Sequence, residues 1–150
     1  MAQSLVSLLV HLVFSTKHRA DLITPEVEPE LFAYLSGILR NRESRCLAAG
    51  GTANHVHLLV SLSKNVALSA LLGELKKSSS RWVKTKGARF RDFGWQDGYG
   101  AFSVGQSNVA ALRRYIARQK EHHRVRSYES EVLTLLDRYG VRYDERYLWR

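Results

Sequence analysis

The sequence predicts an α+β fold, one four-stranded antiparallel sheet with two helices on one face, and three observations predict it. Apolar residues alternate with period two over 5–15 and again over 55–62, as in strands with two different faces. Apolar residues recur at helical spacing over about 27–42 and 66–84. The elements then follow the order β-α-β-β-α-β, commonly folded as the ferredoxin-like arrangement with the first and third strands as central neighbours. Two further helices follow the fourth strand, and residues 1–150 read as one domain.

In the first strand Val6, Leu8, Val10, Leu12 and Phe14 make a purely apolar face, while Leu5, Ser7, Leu9, His11, Val13 and Ser15 make a mixed one. A loop with Lys17, His18 and Arg19 follows, and Pro25 and Pro29 mark the approach to the first helix, where Leu31, Leu35, Ile38 and Leu39 share a face. Residues 44–51 read as a second strand ending at Gly50-Gly51, and Thr52-Ala53-Asn54 turns the chain into the third. Asn65 is the expected N-cap of the next helix, whose buried face carries Leu68, Leu71, Leu72, Leu75, Ser79 and Trp82. Residues 84–98 are polar, basic and glycine-containing, hence a long loop, and 99–104 form the fourth strand. Ser107 caps a helix to about residue 124; Ser127 starts another that stops at Gly140.

With 23 Lys+Arg against 14 Asp+Glu the chain carries a formal charge of +9, which points to a polyanionic partner, most often nucleic acid. Cys46 is the only cysteine, which excludes an intramolecular disulfide and fits a reducing cytosol. The apolar N-terminal run lacks a preceding Lys or Arg, contains His11 and leads into STKHR without a small-residue cleavage site, so it reads as a strand rather than a signal peptide. It is too short to span a bilayer. The expected location is cytoplasmic, without membrane association.

The third strand reads NHVHLLV, residues 54–60. Val56, Leu58, Val60 and Leu62 form an apolar face that must pack under the helices; His55, His57, Leu59 and Ser61 are left on the open sheet face. Two neutral imidazoles side by side can bind a divalent ion, but two ligands hold it weakly and a third group is required. Without one, the pair is simply two exposed strand histidines. The helix SNVAALRRYIARQKEHHR offers that group: Tyr115 and Gln119 are four apart on one side. A phenol can act as a nucleophile on phosphorus, and an amide oxygen is an acceptable metal ligand. Taken alone, Tyr115 is half-buried packing and Gln119 a solvated helix residue; joined to the histidine pair they form a specific constellation.

His55-Val56-His57 followed by Tyr115-x3-Gln119 resembles the HUH superfamily (histidine, bulky hydrophobe, histidine), and within it the single-tyrosine transposases of small bacterial insertion sequences that move as single-stranded DNA. The resemblance runs from STKHR through NHVHLLV, LKKSSSRW and GYGAFSVG to the tyrosine helix and YDERYLW. Related replication initiators usually place lysine after the tyrosine, and relaxases carry a third histidine and an early tyrosine, so Gln119 favours the transposase branch. The resemblance implies a tyrosine helix and a C-terminal helix added to the ferredoxin-like core. It implies that Tyr115 attacks a scissile phosphate in hairpin-marked single-stranded DNA, leaving a 5′-phosphotyrosine and a free 3′-OH. It further implies that His55, His57 and Gln119 hold Mg²⁺ or Mn²⁺ to neutralise a non-bridging oxygen. A homodimer with exchanged tyrosine helices is implied as well, with Gly105 as the hinge, though the sequence does not separate cis from trans assembly. The corresponding location is bacterial and nucleoid-associated.

His11, on the mixed face of the neighbouring strand, is a candidate for proximity to the site, and so is His122, seven residues after Tyr115. Residues 76–91 hold seven basic and no acidic residues; Lys76, Lys77, Arg81 and Lys84 there, Lys17 and Arg19 earlier, and Arg114 and Arg118 on the tyrosine helix are candidate phosphate contacts. Phe90, Phe93 and Trp95 are candidates for base stacking, whereas Trp82 continues an apolar helix face and reads as core. The competing reading is a domesticated, non-catalytic nucleic-acid-binding module of the same fold. A hydrolase built on H-x-H is disfavoured, because the barrel enzymes with that motif need far longer chains and the paired-motif phosphoesterases need a second copy.

Overall fold

The computed structural model describes residues 2–150. Strands β1 (Leu9–Ser15), β2 (Arg45–Thr52), β3 (His55–Ser61) and β4 (Gly100–Val104) form one antiparallel sheet in the order β2-β3-β1-β4. Helices α1 (Glu28–Asn41) and α2 (Leu68–Lys84) follow β1 and β3, which completes the expected βαββαβ order with β1 and β3 central. The period-two pattern decides the faces. Leu12 and Phe14 of β1 and Val56, Leu58 and Val60 of β3 bury against Leu31, Leu35 and Leu39 of α1 and Leu71, Leu72 and Leu75 of α2.

The ends of several elements differ from the sequence expectation. β1 begins at Leu9, and Leu5, Val6 and Leu8 before it are exposed. Ala67, not Asn65, takes the N-cap position of α2. Gly50 and Gly51 lie inside β2, paired with His57 and Val56, rather than closing the strand. The loop after α2 contains a 3-10 turn at Ala88–Phe90 and folds back over the helix, burying Phe90, Phe93 and Trp95 in the core. Trp95 donates its indole N–H to Ser79 Oγ (2.9 Å) and meets Phe14 edge-on. These rings are therefore packing residues rather than base-stacking platforms: desolvating three aromatic side chains outweighs the polarity of the loop that carries them. Trp82 is half-buried, stacked on Tyr34.

The other sheet face is covered by α3 (Val109–Ala117), α4 (Gln119–His122), α5 (Tyr128–Arg138) and α6 (Glu145–Leu148). The expected continuous helix over 107–124 is broken: a 3-10 turn precedes α3, Asn108 rather than Ser107 takes its N-cap, and Arg118 (φ −102°, ψ 20°) separates α3 from α4. Ser127 caps α5 as expected, its Oγ accepting from the Ser130 N–H at 3.1 Å. Tyr128, Leu135 and Leu136 of α5 join Val13 and Phe102 in a second apolar cluster, with Trp149 packed against it. The sheet is thus sandwiched between α1–α2 and α3–α6.

Candidate active site

That second layer changes the setting of the histidine pair. His55 and His57 do stand on the face opposite α1 and α2, but this face is not open, and both side chains are fully buried. Five polar side chains converge there: His11 from β1, His55 and His57 from β3, Gln119 from α4 and Glu131 from α5. Each is at most 2 % exposed.

Glu131 is the hub. Its Oε1 lies 2.9 Å from His57 Nε2, 3.1 Å from His123 Nε2 and 3.6 Å from His55 Nε2. Its Oε2 accepts hydrogen bonds from the Tyr115 hydroxyl and from Gln119 Nε2 (3.1 Å). The consecutive residues His122 and His123 both approach Glu131 but meet different rings. His122 meets the Tyr115 ring at 5.3 Å between centroids, and His123 meets His55 at 4.4 Å. His122 Nε2 is buried with no hydrogen-bond partner among the described residues, 3.4 Å from Glu131 Oε2.

Outer partners orient the rings. His11 Nε2 is 2.8 Å from His57 Nδ1. His55 Nδ1 is 2.8 Å from Asn54 Oδ1, an oxygen identified by the Asn54 Nδ2 donating to the Arg19 carbonyl at 3.3 Å. Asn54 thus holds the first histidine of the motif from the turn that introduces it. Such partners fix the tautomer of a ligating imidazole.

Burial sets the protonation states. It pushes His11 and His55 down to about 3, reinforced in both by the charge of His57. Burial also raises the Tyr115 hydroxyl, and its bond to the Glu131 carboxylate raises it further, so the phenol stays protonated at neutral pH. Burial would raise Glu131 too, but the close approach of His123 and His57, the charge of His57 and the bond from Tyr115 outweigh it and hold the carboxyl well below its usual range. A histidine near 6.5 when unfolded and near 3 when folded contributes stability that is complete above pH 6.5 and lost as pH falls toward 3. The depressed Glu131 acts in the same direction at lower pH. We expect metal-free protein in EDTA to lose up to about 1.4 kcal/mol per pH unit for each of His11 and His55 below pH 6.5. Urea midpoints measured from pH 7.5 to 4.5 should show this, with His11→Gln flattening the slope by about one proton; an unchanged slope would exclude His11 as a contributor.

Of the residues singled out in the sequence, His55, His57, Tyr115, Gln119, His11 and His122 gather here. His123 and Glu131 were not singled out. Their signals were the His122-His123 doublet and an acidic residue on the apolar face of α5, three after Tyr128 and four before Leu135. Ligand atoms of His55, His57, His123 and Glu131 all lie within 4.8 Å of one another, a donor set that fits a metal ion.

The basic candidates divide among three places. Lys17, Lys76, Lys77 and Lys84, with Arg91, line an open groove beside α2. Lys76 is nevertheless engaged, donating to the carbonyls of Gln96, Asp97 and Gly98 at 2.7, 3.0 and 2.5 Å; burial lowers it to about 8, opposed by Asp97. Arg81 is exposed on the same helix. Arg114 and Arg118 flank Tyr115 and His122 around a second surface depression. Arg19 pairs with Glu129 (2.9 Å) and donates to the Trp149 carbonyl. No helix among the described residues is long and apolar enough to cross a membrane.

Known proteins resemble this arrangement at two levels. In fold, the chain matches a crystal structure of a transposase candidate from Deinococcus radiodurans R1, with TM-score 0.62, 23 % identity and coverage of 79 % of this chain and 98 % of that one. It also matches a REP-associated tyrosine transposase bound to a REP hairpin, with TM-score 0.61, 16 % identity and coverage of 82 % and 73 %. In sequence, the transposases for insertion sequence element IS200 of Salmonella typhimurium and Salmonella typhi are each 28 % identical over 121 residues, 77 % of this chain and 78 % of theirs. The model of the family described as "Transposase IS200 like" matches residues 4–119, a segment that holds the histidine pair, the tyrosine and Gln119, and the chain belongs to that family of HUH single-tyrosine transposases.

Proposed function

We propose that the protein nicks and rejoins single-stranded DNA at hairpin-marked ends through a 5′-phosphotyrosine on Tyr115. The observation that carries this reading is that one carboxylate spans nucleophile and histidine pair: Glu131 touches the Tyr115 hydroxyl with one oxygen and His57 with the other. The phenolic oxygen bonds to phosphorus, the bond from phosphorus to the 3′ oxygen breaks, and the 3′-OH is kept for the reverse step. Because one ester replaces another, no ATP is needed. His55 and His57, with Gln119, are the ligands of Mg²⁺ or Mn²⁺ in this reading, and such an ion neutralises charge at the phosphate when bound. The Gln119 carbonyl oxygen, 3.0 Å from His55 Nε2, is close enough to share an ion with it.

Lys17, Lys77, Arg81 and Lys84 are the proposed grip on the DNA backbone away from the site, and Arg114 and Arg118 the grip beside the nucleophile. The hairpin held by the REP-associated relative supports a hairpin substrate here. Homodimerisation belongs to the same reading. Tyr115 lies beside its own chain's histidines, an arrangement that supports cleavage in cis.

The test is to incubate the protein with 5′- and 3′-labelled hairpin-bearing single strands and Mg²⁺ or Mn²⁺, then run denaturing gels. A covalent adduct carrying the DNA 3′ of the nick, mapped to the Tyr115 peptide by mass spectrometry, is expected. Tight, salt-sensitive binding with no adduct under any divalent ion would instead identify a non-catalytic binding module.

A further inference from the structure

The family match ends at residue 119, yet two of the four side chains clustered on the histidine pair, His123 and Glu131, lie beyond it. Their hydrogen bonding leaves the centre of the cluster short of protons. His55 Nδ1 faces the Asn54 amide oxygen, so the neutral ring carries its proton there and turns a bare Nε2 inward. His123 Nδ1 faces the Arg126 carbonyl at 2.7 Å, so the tautomer that satisfies this carbonyl turns its Nε2 lone pair inward. Gln119 donates its amide N–H to Glu131, which leaves its oxygen directed at His55 Nε2. Two imidazole lone pairs, a carboxylate oxygen and an amide oxygen therefore face one another, all from side chains buried or nearly so. Acceptors brought this close in a dry interior repel unless a cation lies between them.

We propose that His55, His57, His123 and Glu131 form a four-ligand site for a divalent transition-metal ion, with α5 supplying a carboxylate that also positions Tyr115. The inference rests on the proposed function for the role of Tyr115, and changes the identity of the ion and its ligands. Three imidazole nitrogens and one carboxylate oxygen suit Zn²⁺, Co²⁺ or Mn²⁺, whereas Mg²⁺ favours oxygen ligands and retained water in octahedral geometry. The separations around Glu131 Oε1, 2.9 to 3.6 Å, are close to the roughly 3.4 Å edge of a tetrahedron with metal–ligand bonds near 2.1 Å. The other oxygen, Oε2, already holds the phenol, so a ligated Glu131 fixes the nucleophile's position relative to the ion.

The test uses the full chain stripped with EDTA and titrated with Co²⁺, Zn²⁺ and Mg²⁺, followed by calorimetry and visible absorption. Intense d–d bands of four-coordinate Co²⁺ are expected, with Co²⁺ and Zn²⁺ bound at least about 100-fold more tightly than Mg²⁺. Glu131→Gln, which keeps the shape but removes the anionic ligand, should weaken Co²⁺ at least about tenfold, and His123→Gln likewise. Weak six-coordinate bands, Mg²⁺ within tenfold of Co²⁺, or Glu131→Gln binding like wild type would each overturn the assignment. Should Glu131→Gln not fold, the wild-type spectrum and the Co²⁺ to Mg²⁺ ratio decide by themselves. Tyr115 adducts formed without the four-coordinate Co²⁺ spectrum would overturn this inference and leave the proposed function standing; the spectrum without adducts would do the reverse.

Discussion

Tyr115→Phe is expected to abolish covalent adducts, lowering their rate of formation by at least about 10³-fold, while leaving a folded protein that still binds DNA. The substitution removes one oxygen from a half-buried ring and leaves the aromatic contacts with His11, His57 and His122 in place. What is lost is one hydrogen bond to a charged acceptor, worth about 1.5–3 kcal/mol. Part of that is offset because Glu131 Oε2 keeps the Gln119 amide. No neighbouring hydroxyl replaces the nucleophile, since no other hydroxyl donates to Glu131 among the described residues. Three readouts separate chemistry from folding: adduct yield on denaturing gels, urea midpoint, and salt-dependent affinity for single-stranded hairpin DNA. Wild-type adduct levels from this variant would remove Tyr115 from the mechanism. Collapse of all three readouts together would show a structural role instead.

The legible and illegible parts of this molecule have different physical origins. A strand has a two-residue repeat, so NHVHLLV placed Val56 and Leu58 toward the helices and both imidazoles opposite without knowledge of any other element. Their burial was not legible, because it depends on what covers the second face. That cover comes from Tyr128, Leu135 and Leu136, whose apolar spacing predicts a helix but not which sheet face receives it. Tyr115 and Gln119 were readable as one side of a helix, and they do meet on a common partner. That partner was out of reach: Glu131 follows a kink at Arg118 and a reversal before α5, and no local periodicity encodes either. In the loop after α2, charge density signalled surface while Phe90, Phe93 and Trp95, with no regular period, went into the core. The two glycines of β2 show the same limit. Their composition suggested a strand end, yet the need for glycine at Gly50 arises from a helix 66 residues away in the chain.

That position supplies the second large effect. Gly50→Ala is expected to destabilise the protein and to cost at least about 10²-fold in adduct formation, although the new methyl group meets Ile116 and not Tyr115 itself. A Cβ at Gly50 would lie 2.2 Å from the backbone oxygen of Ile116 and 2.9 Å from its Cγ2. The first of these is main chain, so no rotamer change relieves it and α3 as a whole must lift from the sheet. Ile116 is buried and next in sequence to Tyr115, while Gly50 pairs directly with His57 in the β2–β3 ladder. One added carbon thus separates the helix of Tyr115 from the histidines' strand, and on the proposed mechanism a displacement near 1 Å at a reacting atom is enough for the stated loss. Overpacking of this kind costs about 1–3 kcal/mol. Gly37→Ala in α1 is the control: nothing lies within 4 Å of the Cβ it would gain, so it should hold or raise the midpoint, by about 0.5–1 kcal/mol, and keep full activity. Because His55 and His57 belong to β3 and not to α3, Gly50→Ala should lose adducts out of proportion to its shift in urea midpoint. A variant that formed adducts at the wild-type rate would show that α3 can move without carrying Tyr115 out of reach of the histidine pair.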